Sequence, residues 1–210
     1  MNFHALMPFY RKYHYDKIRT HYETMSLIWH PICDPVDIQP FEGNTREWIK
    51  PLLCDPIRPG DVIVYRKIND FIEADDIIDD DYYGFAHDDD MYVPGYIDWV
   101  KQQTAKIIIC SAHRGHRVVG GDGYPHPTFP LVIKNLNDIH VYNIDFSQII
   151  VKGSILRITR FINKFDFDDG LYAENLRDKW PDDILIHPEF GVYFNYFQPG
   201  RYDPDPRFGL

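Results

Sequence analysis

The chain has few cysteines, a deficit of cations and no long apolar run. Its three cysteines, Cys33, Cys54 and Cys110, are odd in number and far apart. That excludes a disulfide framework and zinc-ligand spacing, and it fits a reducing compartment. Lys and Arg total 22 against 32 for Asp and Glu, a formal charge of −10. Binding a nucleic-acid backbone draws on dense basic surface, so a broad nucleic-acid interface is excluded, whereas a single phosphate-bearing small ligand is not. No run of about 18 apolar residues occurs, so no membrane-spanning helix is expected. Met1 to Tyr10 lacks the apolar stretch of a signal peptide, so a cytoplasmic location is expected, with peripheral attachment to a membrane left open. The chain also lacks a Gly-rich phosphate loop, a nucleophile elbow and a paired-His metalloprotease motif.

What remains is an ordinary globular composition, 44% hydrophobic and 26% charged over 210 residues. A chain of that length buries a core without staples, and one domain over 1–210 is expected. Aromatics reach 16%. At that level they fill cores and also line sugar- and base-binding clefts.

Phe3 to Met7 reads as a buried strand that enters a loop at Pro8, and residues 14–24 as a helix. Leu27-Ile28-Trp29 reads as a second strand stopped by Pro31, and Trp48 to Cys54 as a third, weakened by Pro51. Pro56, Pro59 and Gly60 mark a turn. Asp61 to Glu73 carries helical periodicity with Asp61 as N-cap. Tyr82 to Ala86 is a fourth strand, and Pro94 opens a helix through Gln103. Lys106 to Cys110 is an apolar strand suited to a sheet covered on both faces. The alternation predicts an α/β fold: three layers, α/β/α, around a mainly parallel sheet, with ligands beyond the carboxyl ends of its strands.

The second half is less regular. Residues 113–130 read as a long exposed binding loop. Val141 to Ile150 and Ser154 to Phe161 read as strand and helix elements, Leu171 to Trp180 as a helix and Ile184 to Ile186 as a short strand. The tail, 199–210, reads as extended.

Eight aspartates fall within residues 75–90. Asp75, Asp76, Asp79, Asp80 and Asp81 precede a strand and read as a solvated acidic loop. Asp88-Asp89-Asp90 directly follows that strand. Three carboxylates cannot all stay charged in a partly buried cleft without a partner. A hard divalent cation such as Mn²⁺ or Mg²⁺ removes the conflict and leaves positions open for phosphate oxygens. On an extended segment Asp88 and Asp90 point the same way and Asp89 the other. A strand-end turn that caps the next helix is the alternative.

The segment from Tyr82 through His87-Asp88-Asp89-Asp90 to Val93-Pro94-Gly95-Tyr96 resembles the nucleotide-sugar glycosyltransferases of the GT-A fold. Leu6-Met7-Pro8-Phe9-Tyr10-Arg11 is similar to the first strand and loop of that fold, which receive the nucleotide base. Lys152-Gly153-Ser154 to Phe161, then Asp168-Asp169-Gly170-Leu171-Tyr172-Ala173-Glu174, looks like its acceptor-side half. The resemblance implies a nucleotide-binding half at 1–110 and an acceptor half at 111–198. It implies a nucleoside diphosphate-sugar donor, UDP-sugar favoured, and a glycan or other hydroxyl acceptor.

The roles implied are these. Asp88 and Asp90 hold the metal, which His187 either completes or, as a strand-end histidine bonded to backbone, does not, and Asp88 and Asp89 also face the donor. Pro8, Tyr10, Arg11, Lys67 and Asn69 form the base and phosphate pocket: the cations offset pyrophosphate charge and Asn reads a pyrimidine edge. Asp168 or Asp169, with Glu174 one turn on, deprotonates the acceptor if the reaction inverts, or stabilises an oxocarbenium-like state if it retains, and helix capping by the two aspartates is equally open. His113-Arg114-Gly115-His116-Arg117 reads as a sugar- or phosphate-contacting loop or a solvated basic one. Cys110 reads as an inert buried thiol. A nucleotide-binding protein of the same fold without activity, and a metal-dependent phosphoester hydrolase, are the alternatives in function.

Overall fold

Seven buried residues in a row, Phe3–Phe9, form β1. Phe3, Ala5, Met7 and Phe9 enter one apolar layer, and Leu6 enters a second layer on the opposite face. A strand covered on both sides needs mostly apolar residues at odd and even positions alike, and β1 has them at every position but His4, which is buried and hydrogen-bonded to His30 and Asp81. The chain continues through α1 (Tyr15–Glu23), β2 (Ile28–Cys33), β3 (Leu52–Leu53), α2 (Ile63–Ala74), β4 (Tyr82–Phe85) and β5 (Met91–Tyr92). Then come α3 (Tyr96–Val100), β6 (Ile107–Arg114), β7 (Val118–Val119), β8 (Pro125–His126) and β9 (Ile149–Lys152). Helices α4 (Gly153–Leu156) and α5 (Asp168–Lys179) precede the last strand, β10 (Ile184–Phe194). This computed structural model describes residues 1–54, 62–74, 76–114, 118–119, 125–126, 130–165 and 167–194. The expected turn at 55–61, the Asp61 cap, Asp75, Gly115 to Arg117 and the tail lie outside them.

One sheet runs in the order β3-β2-β1-β4-β9-β6-β10-β5. Strands β9 and β5 are antiparallel to their neighbours, and the other six are mutually parallel. Helices α1 and α3 bury Ile18, Tyr22, Tyr96, Ile97 and Val100 on one face of the sheet. On the other face α2 buries Ile68, Phe71 and Ile72, and α5 buries Tyr172, Ala173 and Leu176. The three-layer α/β/α fold with a mainly parallel sheet is therefore the one expected.

Several boundaries differ from the sequence reading. Both β1 and β2 run through their prolines, with Met7 opposite Pro31 and Pro8 opposite Ile32. The pairing of β1 with β4 ends at Leu6 opposite Phe85, so Pro8 lies where β1 has become an edge, and a missing N–H is tolerated there. The third strand shrinks to two residues, with Ile49 only bridging to Trp29. Helix α3 is shorter than expected and starts after Gly95, whose φ of 82° is left-handed. Residues 141–148 carry a 3₁₀ turn in place of a strand, and β10 is far longer than expected. Its length comes from pairing with β6 along most of its course, a partnership distant in sequence.

Register places the site. Phe9 lies opposite Cys33, so β1 and β2 end together, while β4 ends three residues earlier, with Phe85 opposite Leu6. The residues that follow, Tyr10-Arg11, Asp34 and His87 to Asp90, emerge along one rim. Gly170 brings the start of α5 to the same region: a Cβ there would sit 2.6 Å from the Cα of Val141.

Candidate functional site

The turn after β4 decides which carboxylates meet. Asp90 N–H donates to the His87 carbonyl at 3.1 Å, and His87 N–H donates to Asp90 Oδ2 at 3.1 Å. The segment is folded back and not extended, so residues three apart share a side, and the alternation expected for Asp88 and Asp90 fails. Asp90 faces His87 and Asp145, and ligand atoms of these three lie within 4.8 Å of one another.

Asp88 and Asp89 turn to Arg11 instead. Asp88 Oδ2 accepts the backbone N–H of Tyr10 at 3.0 Å and of Arg11 at 2.7 Å, and its Oδ1 meets the Arg11 guanidinium. The same guanidinium reaches Asp89 Oδ2 at 3.0 Å. Burial opposes the Arg11 charge, but Asp88 and Asp89 outweigh it and hold the guanidinium protonated. Asp88 carries no exposed surface. The acidic triplet thus splits: two members anchor the loop after β1, and the third faces the cluster.

Asp145 comes from far along the chain. It caps the 3₁₀ turn before β9: Ser147 N–H and Oγ–H both donate to its Oδ1, at 3.2 and 3.0 Å. Gln148 completes the box by accepting the Asp145 N–H at 2.7 Å and donating to the Cys110 carbonyl at 2.7 Å. The carboxylate is oriented before any ligand arrives. One imidazole and two carboxylates make a mixed N/O donor set that suits Mn²⁺ better than an all-oxygen Mg²⁺ site.

Asp169, at the start of α5, lies beside this cluster. It accepts the Gly170 N–H at 2.8 Å and is hydrogen-bonded to the Tyr65 hydroxyl. Burial and then the charge of Asp145 raise its carboxyl to about 7. Burial and then Asp169 keep the Tyr65 hydroxyl protonated. A carboxyl near neutrality beside a cation-type donor set is the arrangement that acid–base chemistry requires.

On the other side of Arg11 lies a second group. Lys67 is 1% exposed, donates to the Phe9 carbonyl at 3.2 Å and pairs with Asp34 at 3.2 Å. The Tyr10 ring lies under the Arg11 guanidinium at 4.7 Å and near the Lys67 ammonium at 5.9 Å. Tyr10, Arg11, Lys67 and Asp34 therefore line the rim beyond β1 and β2. Pro8 stays in the strand beneath them.

The remaining predicted residues sit elsewhere. Asn69 ties α2 to Phe161, donating to its carbonyl at 2.9 Å and accepting its N–H at 3.1 Å. Asp168 is buried and accepts the Lys164 N–H at 2.9 Å. Glu174 accepts the Val141 N–H at 2.9 Å and so holds the loop that Gly170 abuts. His187 does not join the acidic cluster: its ring packs edge-on against Trp99 at 4.3 Å and Tyr96 at 4.8 Å, and its Nδ1 lies 2.9 Å from the Glu189 carbonyl oxygen. The His113 ring packs against Phe190 and Tyr193. Cys110 is fully buried, and burial pushes its thiol up to about 12. Asp76, Asp79 and Asp80 are exposed as expected, but Asp81 is buried and accepts hydrogen bonds from Asn2.

Four site residues escaped the sequence reading: Asp34, Tyr65, His87 and Asp145. Asp34 follows β2 as Tyr10 follows β1, so the strand-end rule could have found it. The Asp145-to-Gln148 box was legible as a cap, but its position beside Asp90 was not.

No helix among the described residues is long and apolar enough to cross a membrane. No family model matches the chain, and no curated protein matches it in sequence. Among solved structures it is similar to S. aureus TarS 1-349, with a TM-score of 0.61 at 12% identity, over 92% of this chain and 60% of that one. It is also similar to S. aureus TarS 1-349 in complex with UDP, with a TM-score of 0.52 at the same 12% identity and the same coverage, 92% and 60%. The chain thus spans 60% of the length of the TarS segment it matches. With its mixed sheet and flanking helices, the chain has an α/β nucleotide-sugar transferase-like fold.

Proposed function

We propose that the protein is a GT-A glycosyltransferase that moves a sugar from a nucleoside diphosphate donor, with UDP favoured, to an acceptor hydroxyl. One observation carries the reading: a His87–Asp90–Asp145 donor set stands beside Asp169 at the carboxyl ends of the strands. The fold places that set where α/β sheets of this kind take their ligands, and the similar TarS chain was crystallised with UDP.

His87, Asp90 and Asp145 are the residues that would hold Mn²⁺ or Mg²⁺. Bound there, the cation supplies Lewis-acid stabilisation to the departing diphosphate. Tyr10 offers a face for the base, Asp34 an acceptor for a base N–H, and Lys67 and Arg11 positive charge at the rim. Arg11 also fixes the loop through Asp88 and Asp89. Asp169 takes the proton of the acceptor hydroxyl as its oxygen attacks the anomeric carbon and the bond to the donor phosphate breaks. Tyr65 positions Asp169 by its hydrogen bond. This base role belongs to an inverting course.

The test is calorimetry of UDP binding with and without Mn²⁺, then donor turnover across UDP-sugars. Mn²⁺-dependent UDP affinity with release of UDP and glycoside formation supports the reading. Metal-dependent binding with no turnover on any acceptor would leave a nucleotide-binding protein of the same fold. Release of inorganic phosphate or nucleoside monophosphate would make it a hydrolase.

A further inference from the structure

The strip between α4 and α5 has a composition at odds with the rest of the chain. Thr159 and Phe161 are buried, and they pin it down: the Thr159 hydroxyl is bonded to the Tyr172 hydroxyl at 2.8 Å, and Phe161 stacks on Tyr172 at 4.2 Å. The residues between and beyond them point outward. Ile158 is 65% exposed, Ile162 55% and Phe165 46%. Arg160 and Lys164 are exposed among them. Arg160 donates to the Thr159 carbonyl at 2.7 Å, and neither cation has a carboxylate partner among the described residues. Phe165 stacks on Phe167 at 5.2 Å, and Tyr142 lies 5.8 Å from Phe167.

Large aliphatic side chains gain nothing from water or from a sugar hydroxyl; they gain by entering an apolar phase. Two cations with no carboxylate partner among the described residues stand beside them in a chain whose formal charge is −10. That charge imbalance orients the molecule near an anionic surface, because only a locally basic face can approach within a Debye length without repulsion. Cations, aliphatic residues and aromatic rings on one strip are the composition of a face that lies in a lipid headgroup layer.

We propose that residues 157–165 dock the protein onto an anionic membrane surface, with Ile158, Ile162 and Phe165 entering the headgroup boundary and Arg160 and Lys164 against lipid phosphates. The proposal stands independently of the transferase reading.

Co-sedimentation tests it, using vesicles of phosphatidylcholine alone and vesicles with one third phosphatidylglycerol. The full chain sediments with the anionic vesicles, not the neutral ones, and less so as salt rises. The double variant Ile158→Ser/Ile162→Ser and, separately, Lys164→Glu each lower vesicle partitioning by about tenfold with thermal melting unchanged. Absence of binding to the anionic vesicles overturns the proposal, as does equal binding by wild type and both variants. A concentration-dependent dimer that Ile158→Ser/Ile162→Ser dissociates, with no vesicle binding, would assign the strip to a second copy and also overturn it.

Discussion

The guanidinium of Arg11 is shared between Asp88 and Asp89, at 3.0 Å from the second of them, and both carboxylates are buried. Two backbone N–H groups complete the shell of Asp88. One guanidinium offsets one of the two charges, burial still raises the Asp88 carboxyl, and the loop after β1 is fixed to the loop after β4.

Removing the guanidinium leaves two buried negative charges facing each other. Arg11→Met should therefore destabilise the fold by about 3 kcal/mol, the usual cost of orphaning a buried ionic partner. Urea unfolding measures it. A loss below about 1 kcal/mol would mean that solvent or a cation satisfies Asp88 and Asp89 without Arg11.

His87→Ala, Asp90→Ala and Asp145→Asn should each abolish Mn²⁺-dependent UDP binding, because each removes one of three oriented donors. His187→Ala should leave that binding intact, since its ring packs against Trp99 and Tyr96. Calorimetry with and without Mn²⁺ separates the two sets. Loss of metal dependence in His187→Ala with retention in His87→Ala would reverse the assignment.

Asp169 and Asp145 repel each other, and burial worsens the repulsion. The folded carboxyl of Asp169 titrates above its unfolded value, so the folded state loses stability as pH rises from about 4 towards about 7. Asp169→Asn should raise metal-free stability at pH 7.5 by about 1–2 kcal/mol while abolishing transfer. Thermal melting beside a UDP-release assay checks both. A destabilised Asp169→Asn protein would show that the carboxylate is structural.

His21 and His30 are neutral in the fold. Burial lowers His21 to about 4; burial and then the neighbouring His4 lower His30 to about 3. Unfolded histidine titrates near 6.5. Their neutral forms favour folding fully above that value, and the advantage is lost as pH falls through it towards 4 and 3. Between pH 6.5 and 5 each histidine should contribute a slope of up to about 1.4 kcal/mol per pH unit. His21→Gln keeps a donor for the Tyr92 carbonyl, 3.1 Å from His21 Nε2, and should flatten the slope by one proton. Denaturant titrations across that window decide; an unchanged slope rules His21 out.

Gly170 admits the backbone of Val141 where any side chain would collide. Gly170→Ala should cost about 1–3 kcal/mol and shift Asp169, lowering turnover more than UDP affinity. Equal losses in both would place the effect on the whole fold and not on the base.

The sequence determined the fold class, because strands covered on both faces must be largely apolar and helices between them must carry an apolar face. It also marked the strand-end positions of Tyr10 and the acidic triplet, and the aspartates at the start of α5. It did not determine which carboxylates converge. That depended on a turn at His87–Asp90 where an extended chain was expected, and on Arg11 engaging Asp88 and Asp89 from 77 and more residues away. It depended also on a sheet that inserts β9 between β4 and β6, and so carries Asp145 to Asp90. Local pattern encodes what a residue gains from its own neighbours and from burial. Contacts between distant strand ends arise only when register is fixed, and register is a property of the assembled sheet.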